Sequence, residues 1–322
     1  MCYRCSDFGL HTYYTRGDIM LKKKSIRLDY LLVKCLYIEK DNGKEVAVEK
    51  DFDLTYLFKD LTKLRPQDRQ LKDSNGDLIR IQILKEKKHK TLKCEDGSSY
   101  KYWELQILKQ RSASLPGVAT SKGEYNQIEI KAGEVVSEDI SALYDPQKCT
   151  LLMYRKKEGI TPVGLEKFLS ELLADEKYNI IFQALISKND LDKLLKEGIY
   201  KKLDLIVVDN LSSNDKNPLC DVLSENAIFG AKNAHITLSL GKNAKKEDSF
   251  VTPKLSNFLQ KIVGKSTTTK ALLTSKINGQ DYDLIKERKH EIVSLAYDKK
   301  NPLTHKIIFS EIEATYLKNL DK

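Results

Sequence analysis

The sequence predicts an α+β fold: a β-rich first half, then an α+β half built on a mixed sheet. Runs rich in Leu, Ile, Val and Tyr dominate residues 20–157, with few helical repeats between them. From residue 158 onward, strand-like runs alternate with capped amphipathic segments. Those strands lack the long Val/Ile runs and glycine-rich turns of a doubly wound sheet, which argues against a dinucleotide-binding architecture. The domain boundaries expected are therefore 20–157 and 158–322, preceded by residues 1–19.

The elements follow in order. Residues 1–19 show no hydrophobic periodicity and read as a translated leader ahead of a start at Met20. Ser25–Glu39 alternates and is apolar, a strand, and Asp41-Asn42-Gly43 is a turn signal. Asp53 caps a helix over Leu54–Leu64, whose Leu54, Leu57, Phe58 and Leu61 recur at helical spacing, and Pro66 closes it. Strands are expected at Leu78–Leu84 and Tyr100–Leu108, the second holding Trp103 as a core anchor. Residues 112–124 form a Gly/Ser/Pro loop before strand-like Tyr125–Lys131. Ile140–Tyr144 and Thr150–Arg155 make a hairpin about Asp145-Pro146. Thr161-Pro162 then opens a helix with Leu165, Phe168, Leu169, Leu172 and Leu173 on its apolar face.

In the second half, strands are expected at Tyr178–Ile186, Leu203–Val208, His235–Leu240, Thr268–Ile277 and Glu291–Tyr297. Helices are expected from Asn189 to Lys196, over Asp221–Phe229, over Thr252–Val263, and finally over Leu303–Asn319. The last is amphipathic through Ile307, Ile308, Ile312, Tyr316 and Leu320.

The chain has 322 residues, 41% of them hydrophobic and 31% charged, which fits a folded protein rather than a disordered one. Net charge is +9, with a pI of about 9.0. Residues 20–157 hold 28 Lys and Arg against 21 Asp and Glu, a surplus of 7; residues 158–322 hold 25 against 23, a surplus of 2. A polyanion partner would thus meet mainly the first half. No apolar run is long enough to span a bilayer and no signal-peptide pattern opens the chain. Cys35 and Cys149 lie in apolar runs, where reduced buried thiols are ordinary. The location expected is cytoplasmic, without membrane insertion.

Catalytic motifs are absent: there is no phosphate-binding glycine loop, no H-E-x-x-H and no G-x-S-x-G. Cys2, Cys5 and His11 offer three soft ligands without a fourth, and none of the five histidines has a partner at ligand spacing. His235 reads as a structural residue. Asp204, Asp209 and Glu104 are the acids a metal-dependent nuclease would use, although solvated strand ends explain them more simply. No catalytic residue, cofactor or metal site is assigned, and an enzyme is not the favoured reading.

Three basic clusters remain: Lys85, Lys87, Lys88, Lys90 and Lys93; Arg155, Lys156 and Lys157; and Lys242, Lys245 and Lys246. Lysines at turns and strand ends neutralise phosphates without reading bases, so binding through them would be salt-sensitive and indifferent to sequence. The competing account makes them solvated guards against edge-to-edge sheet pairing. Asp145 and Arg155 are expected to pair across their hairpin, with Arg155 aimed at a phosphate as the alternative.

The block Ser141-Ala142-Leu143-Tyr144-Asp145-Pro146 followed by Leu151-Leu152-Met153-Tyr154-Arg155-Lys156-Lys157-Glu158-Gly159-Ile160-Thr161-Pro162, with Trp103-Glu104-Leu105-Gln106 and Leu115-Pro116-Gly117, resembles an uncharacterised bacterial family of mobile elements and small operons. More remotely, the order of elements is similar to RexA-like and Kiwa KwaB-like nonspecific DNA-binding proteins. That resemblance implies sequence-nonspecific DNA binding, a homodimer and a role in phage defence; it transfers no functional residue. The reading is a nucleic-acid-binding protein, DNA first. The alternatives are a protein–protein interaction module with an operon-encoded partner, and the metal-dependent nuclease.

Overall fold

A computed structural model describes residues 22–41, 44–73, 76–111, 117–175, 177–185, 199–208, 233–241, 259, 262–264, 268–277, 279–298 and 302–320. The fold is organised by its first strand, β1 (Lys22–Asp41). Its even positions Ile26, Leu28 and Tyr30 and its odd positions Leu31, Val33 and Cys35 are all buried, so both faces of this strand are covered.

Each edge of β1 is shared by two partners. Along one edge β15 (His290–Tyr297) pairs with residues 22–29, and β10 (Tyr178–Ala184) takes over from Leu31 to Tyr37. Along the other, β9 (Thr150–Arg155) pairs with Arg27 to Leu32, and β2 (Lys44–Asp51) with Lys34 to Asp41. The sheet continues from β9 through β8 (Ser137–Asp145), β5 (Ser99–Gln110) and β4 (Leu78–Lys93) to the short β3 (Gln70–Lys72). Strands from both sides of residue 157 therefore share one nine-stranded sheet. The fold is strand-rich, and the expected mixed sheet is corrected: every ladder among the described residues is antiparallel.

Helices lie on both faces of the sheet. On one face α1 (Thr55–Thr62) and α2 (Pro162–Leu173) cover Leu31, Val33, Trp103, Leu105, Ile107, Tyr144 and Met153. Phe58 of α1 meets Trp103 and Tyr144 edge-on, each at 5.5 Å between centroids. The start of α2 is the expected one: Thr161 Oγ1 accepts from Gly164 N at 3.1 Å, and Pro162 occupies the first turn. On the opposite face α3 (His305–Lys318) covers Ile26, Leu28, Leu143, Leu152 and Tyr154 with Ile308, Phe309, Ile312 and Tyr316. Ile307, placed on the apolar side of this helix by the sequence pattern, faces outward instead.

A register shift between Ile81 and Ile83 re-phases β4. Ile79 and Ile81 face the α1/α2 side, and past the bulge it is Leu84 that does so. Lys85 and Lys87 are thereby turned to the α3 side, opposite Glu104 and Tyr102. The strand also runs on to Lys93, so the expected break after Leu84 is absent and the basic segment is part of the strand.

A second sheet, in the order β12 (Asn233–Ser239), β11 (Tyr200–Val208), β13 (Thr268–Ser275), β14 (Asp281–Asp283), is also antiparallel. Leu203, Leu205, Val207, Ala271 and Leu273 form its core with helical Leu259, Ile262 and Val263. Within the expected loop, β6 (Gly117–Ala119) pairs with β7 (Tyr125–Gln127), the first part of the strand expected over Tyr125–Lys131, in a small exposed hairpin. The helices expected at 189–196 and 221–229 lie outside the described residues. No helix among the described residues is long and apolar enough to cross a membrane.

Candidate functional site

The β4–β5 hairpin overhangs the sheet. β8 pairs with β5 only from Trp103 to Gln110, whereas the β4–β5 ladder reaches Lys93 opposite Ser99. Lys88, Lys90 and Lys93 lie exposed along this arm, and Lys85, opposite Glu104, is exposed on β4 just before it. None of the four has a carboxylate within ion-pair range among the described residues; Lys93 Nζ donates to Ser99 Oγ at 3.3 Å. Lys88 stands opposite Lys101, which is 3.4 Å from Glu86.

Lys87 behaves differently. Its Nζ lies 3.0 Å from Glu313 Oε1, 3.8 Å from Glu104 Oε2 and 4.8 Å from the centroid of Phe309. The bulge aims it beneath α3, where its ion pairs with Glu313 and Glu104 help hold the helix.

The second predicted cluster divides in the same way. Lys156 lies 2.5 Å from Glu138 and 3.7 Å from Asp139, a half-buried ion pair. Burial alone raises the Glu138 carboxyl, but Lys156 and Arg111 outweigh it and the net shift is downward. Lys157 is exposed on the following turn. Arg155 does not pair with Asp145: β8 and β9 set Asp145 against Thr150, leaving Arg155 far along the strand. Its partner is Asp29, with Nη1 3.2 Å from Oδ2, and Arg27 Nε donates to the other oxygen at 2.6 Å. The exposed Lys22, Lys23 and Lys24 lie at this same end of β1. At about 3.3 Å per residue, Arg155 and the arm's Lys90 are roughly 25 Å apart along the strands, so the two clusters occupy opposite ends of the sheet. Lys242, Lys245 and Lys246 lie outside the described residues.

Asp145 sits instead in a buried polar cluster beneath α3. It accepts from the hydroxyls of Tyr100 and Tyr316 and from Gln147 N, the last at 2.9 Å. Burial, with the adjacent carboxylate, raises the pKa of both tyrosines well above the usual value. Tyr102 donates to Glu313 at 2.5 Å.

Close by, Ser141 Oγ is 2.7 Å from His305 Nδ1, and His305 Nε2 is 3.1 Å from Glu104 Oε1. A serine–histidine–carboxylate chain is the order of groups that activates a nucleophile. Here Ser141 is fully buried under α3, so its hydroxyl has no room for an incoming carbonyl and the chain ties helix to sheet.

The carboxylates considered for a metal are not brought together. Glu104 belongs to the nine-stranded sheet, whereas Asp204 belongs to the four-stranded one. Asp204 accepts from Thr237 Oγ1 at 2.6 Å and lies 2.8 Å from Lys202, contacts that hold it below the usual carboxylate range. Asp209, Cys2, Cys5 and His11 lie outside the described residues. Among the described residues no group of three or more His, Cys, Asp or Glu could hold a metal ion. His235 is exposed on β12.

Arg27, Asp29 and Arg288 were missed by sequence reasoning. The available signal was an Arg-x-Asp within a strand whose flanking residues are apolar on both faces.

The chain belongs to a family of unknown function (DUF6731), whose profile matches residues 21–322. The search of curated proteins found no match.

Proposed function

We propose that this member of the family binds nucleic acid, duplex DNA foremost, without reading its sequence. The observation that carries the reading is the overhanging β4–β5 arm with Lys88, Lys90 and Lys93, and Lys85 at its base, all exposed and unpaired by carboxylates among the described residues. Lysine is a compact point charge on a flexible stem, suited to phosphates rather than to base edges. Lys22–Lys24 and Lys157 supply a second region of like charge at the other end of the sheet. The likeness to RexA-like and Kiwa KwaB-like proteins points the same way, toward a dimeric protein acting in phage defence.

Counterion release sets the magnitude. If these four lysines each neutralise one phosphate, log K falls with log salt at a slope of about −3.6. Affinity then drops roughly 150-fold between about 50 and 200 mM salt. Fluorescence anisotropy of a labelled duplex across a salt series measures this directly. Lys88→Gln/Lys90→Gln/Lys93→Gln should weaken binding and flatten the slope by up to about 2.7. Lys87 is left alone because its removal would disturb α3. An unchanged slope in the triple variant would remove the arm from the interface. No binding at low salt would leave its lysines as guards of the sheet edge.

A further inference from the structure

A separate feature lies at the opposite end of the sheet from the arm. Arg27 and Arg155 face each other across β1 and β9, on the α1/α2 side, with Asp29 between them. Asp29 is buried and takes one N–H from each guanidinium. A guanidinium carries five N–H donors. Among the described residues neither guanidinium makes another hydrogen bond, and the side chains remain 40% and 51% exposed. Two partly spent forks are therefore held side by side by one buried carboxylate, oriented but not neutralised.

A third guanidinium backs them. Arg288, just before β15, donates from Nε to the Val263 carbonyl at 2.9 Å and from Nη2 to the Thr268 carbonyl at 2.6 Å. Burial first, then the charges of Arg155 and Arg27, push its pKa down to about 10, with Asp29 and Asp283 opposing. It stays cationic at neutral pH. The neighbourhood thus gathers three positive charges against Asp29 and Asp283. His290 stands opposite Asp29 in register, with its Nδ1–H donating to the Arg288 carbonyl at 2.8 Å. Ile292 stands opposite Arg27 and is 67% exposed, an apolar surface directly beside the arginine pair.

We propose that Arg27 and Arg155, backed by Arg288, bind a terminal phosphate group as a dianion, and that Ile292 supports the apolar face of an attached nucleoside. Paired guanidinium forks match the oxygen spacing of a phosphate, and a monoester carries more charge than an internal diester. The site uses none of the arm's lysines. It rests on the nucleic-acid reading only for the source of its phosphate.

The test uses the full chain at low salt. Calorimetric titration with inorganic phosphate and with adenosine monophosphate is compared with anisotropy on 5′-phosphorylated and 5′-hydroxyl oligonucleotides. Arg155→Lys keeps a cation on Asp29 while losing the fork, so the variant should stay folded by circular dichroism and bind phosphate about tenfold more weakly. The arm variant should bind phosphate as the wild type does. Tighter binding of adenosine monophosphate than of phosphate supports a nucleotide as the source. Preference for the 5′-phosphorylated strand supports a nucleic-acid end. Absence of saturable binding of all the phosphate probes to wild type overturns the site, as does an Arg155→Lys variant of unchanged affinity. Loss of salt-sensitive duplex binding in the arm variant, with phosphate binding intact, bears on the arm alone.

Discussion

Replacing Tyr316 by phenylalanine removes one hydroxyl from α3 and almost no volume, so the change isolates a hydrogen bond rather than opening a cavity. That hydroxyl donates to Asp145 Oδ2 at 2.5 Å within a fully buried pocket. A hydrogen bond to a charged group contributes about 1.5–3 kcal/mol, and the carboxylate left behind cannot recover water. Tyr316→Phe should therefore destabilise by about 2 kcal/mol. Tyr100→Phe, acting on the same carboxylate, should cost a similar amount. With both gone, Asp145 keeps only the Gln147 backbone N–H among its described partners. The double variant should therefore depart from simple additivity, by at least about 0.5 kcal/mol. Urea denaturation followed by the fluorescence of Trp103, the sole tryptophan, measures each step, with a constant m-value as the control. A loss below about 0.5 kcal/mol for Tyr316→Phe would refute the argument, because Asp145 would then not depend on that donor.

Alkaline pH acts on buried tyrosines of both faces, Tyr144 on the α1/α2 side and Tyr316 on the α3 side. Burial raises the pKa of Tyr144 and Tyr316 far above the unfolded value of about 10. Below that pH the stability they contribute is fully present. Above it the unfolded chain releases protons that the folded chain retains, so stability falls by up to about 1.4 kcal/mol per pH unit for each tyrosine; urea midpoints at successive pH values above 10 should show the decline. At the start of α2, Thr161→Ala should cost about 1 kcal/mol by leaving Gly164 N uncapped, read as a lower urea midpoint. At its end, Ala174 adopts φ 53° in the left-handed region, and Ala174→Gly should stabilise by about 0.5–1 kcal/mol, read as a higher urea midpoint at unchanged m-value.

Features specified locally were legible in the sequence. The β8–β9 hairpin, the Thr161-Pro162 helix start, the apolar run of β1 and the closing helix all depend on residues a few positions apart. What was not legible depends on residues brought together from afar. β2 carries too few apolar residues to stand out from its turn, and the bulge at Ile81–Ile83 leaves no composition signal. Without it Lys87 would project to the other face of the sheet, so its pairing with Glu313 could not be read from a lysine-rich run. The Asp145–Arg155 pair failed because strand register, not closeness in sequence, decides which residues meet. Asp29 finds Arg155 through the β1–β9 ladder, and Arg288 joins them from beyond a second sheet.

The divided edges of β1 impose an order on synthesis. This strand is made before every other described element, yet the partner of its leading half, β15, and the helix that covers Ile26 and Leu28 are made after all the others described. Its trailing half can begin with β2, an immediate neighbour, while its leading half waits for the distant β15. Contacts of such long sequence separation form slowly, and an apolar strand end held open meanwhile is a template for misassociation. Lys22, Lys23 and Lys24, exposed at the head of that strand, place repelling charge on the segment that must wait longest for its partner.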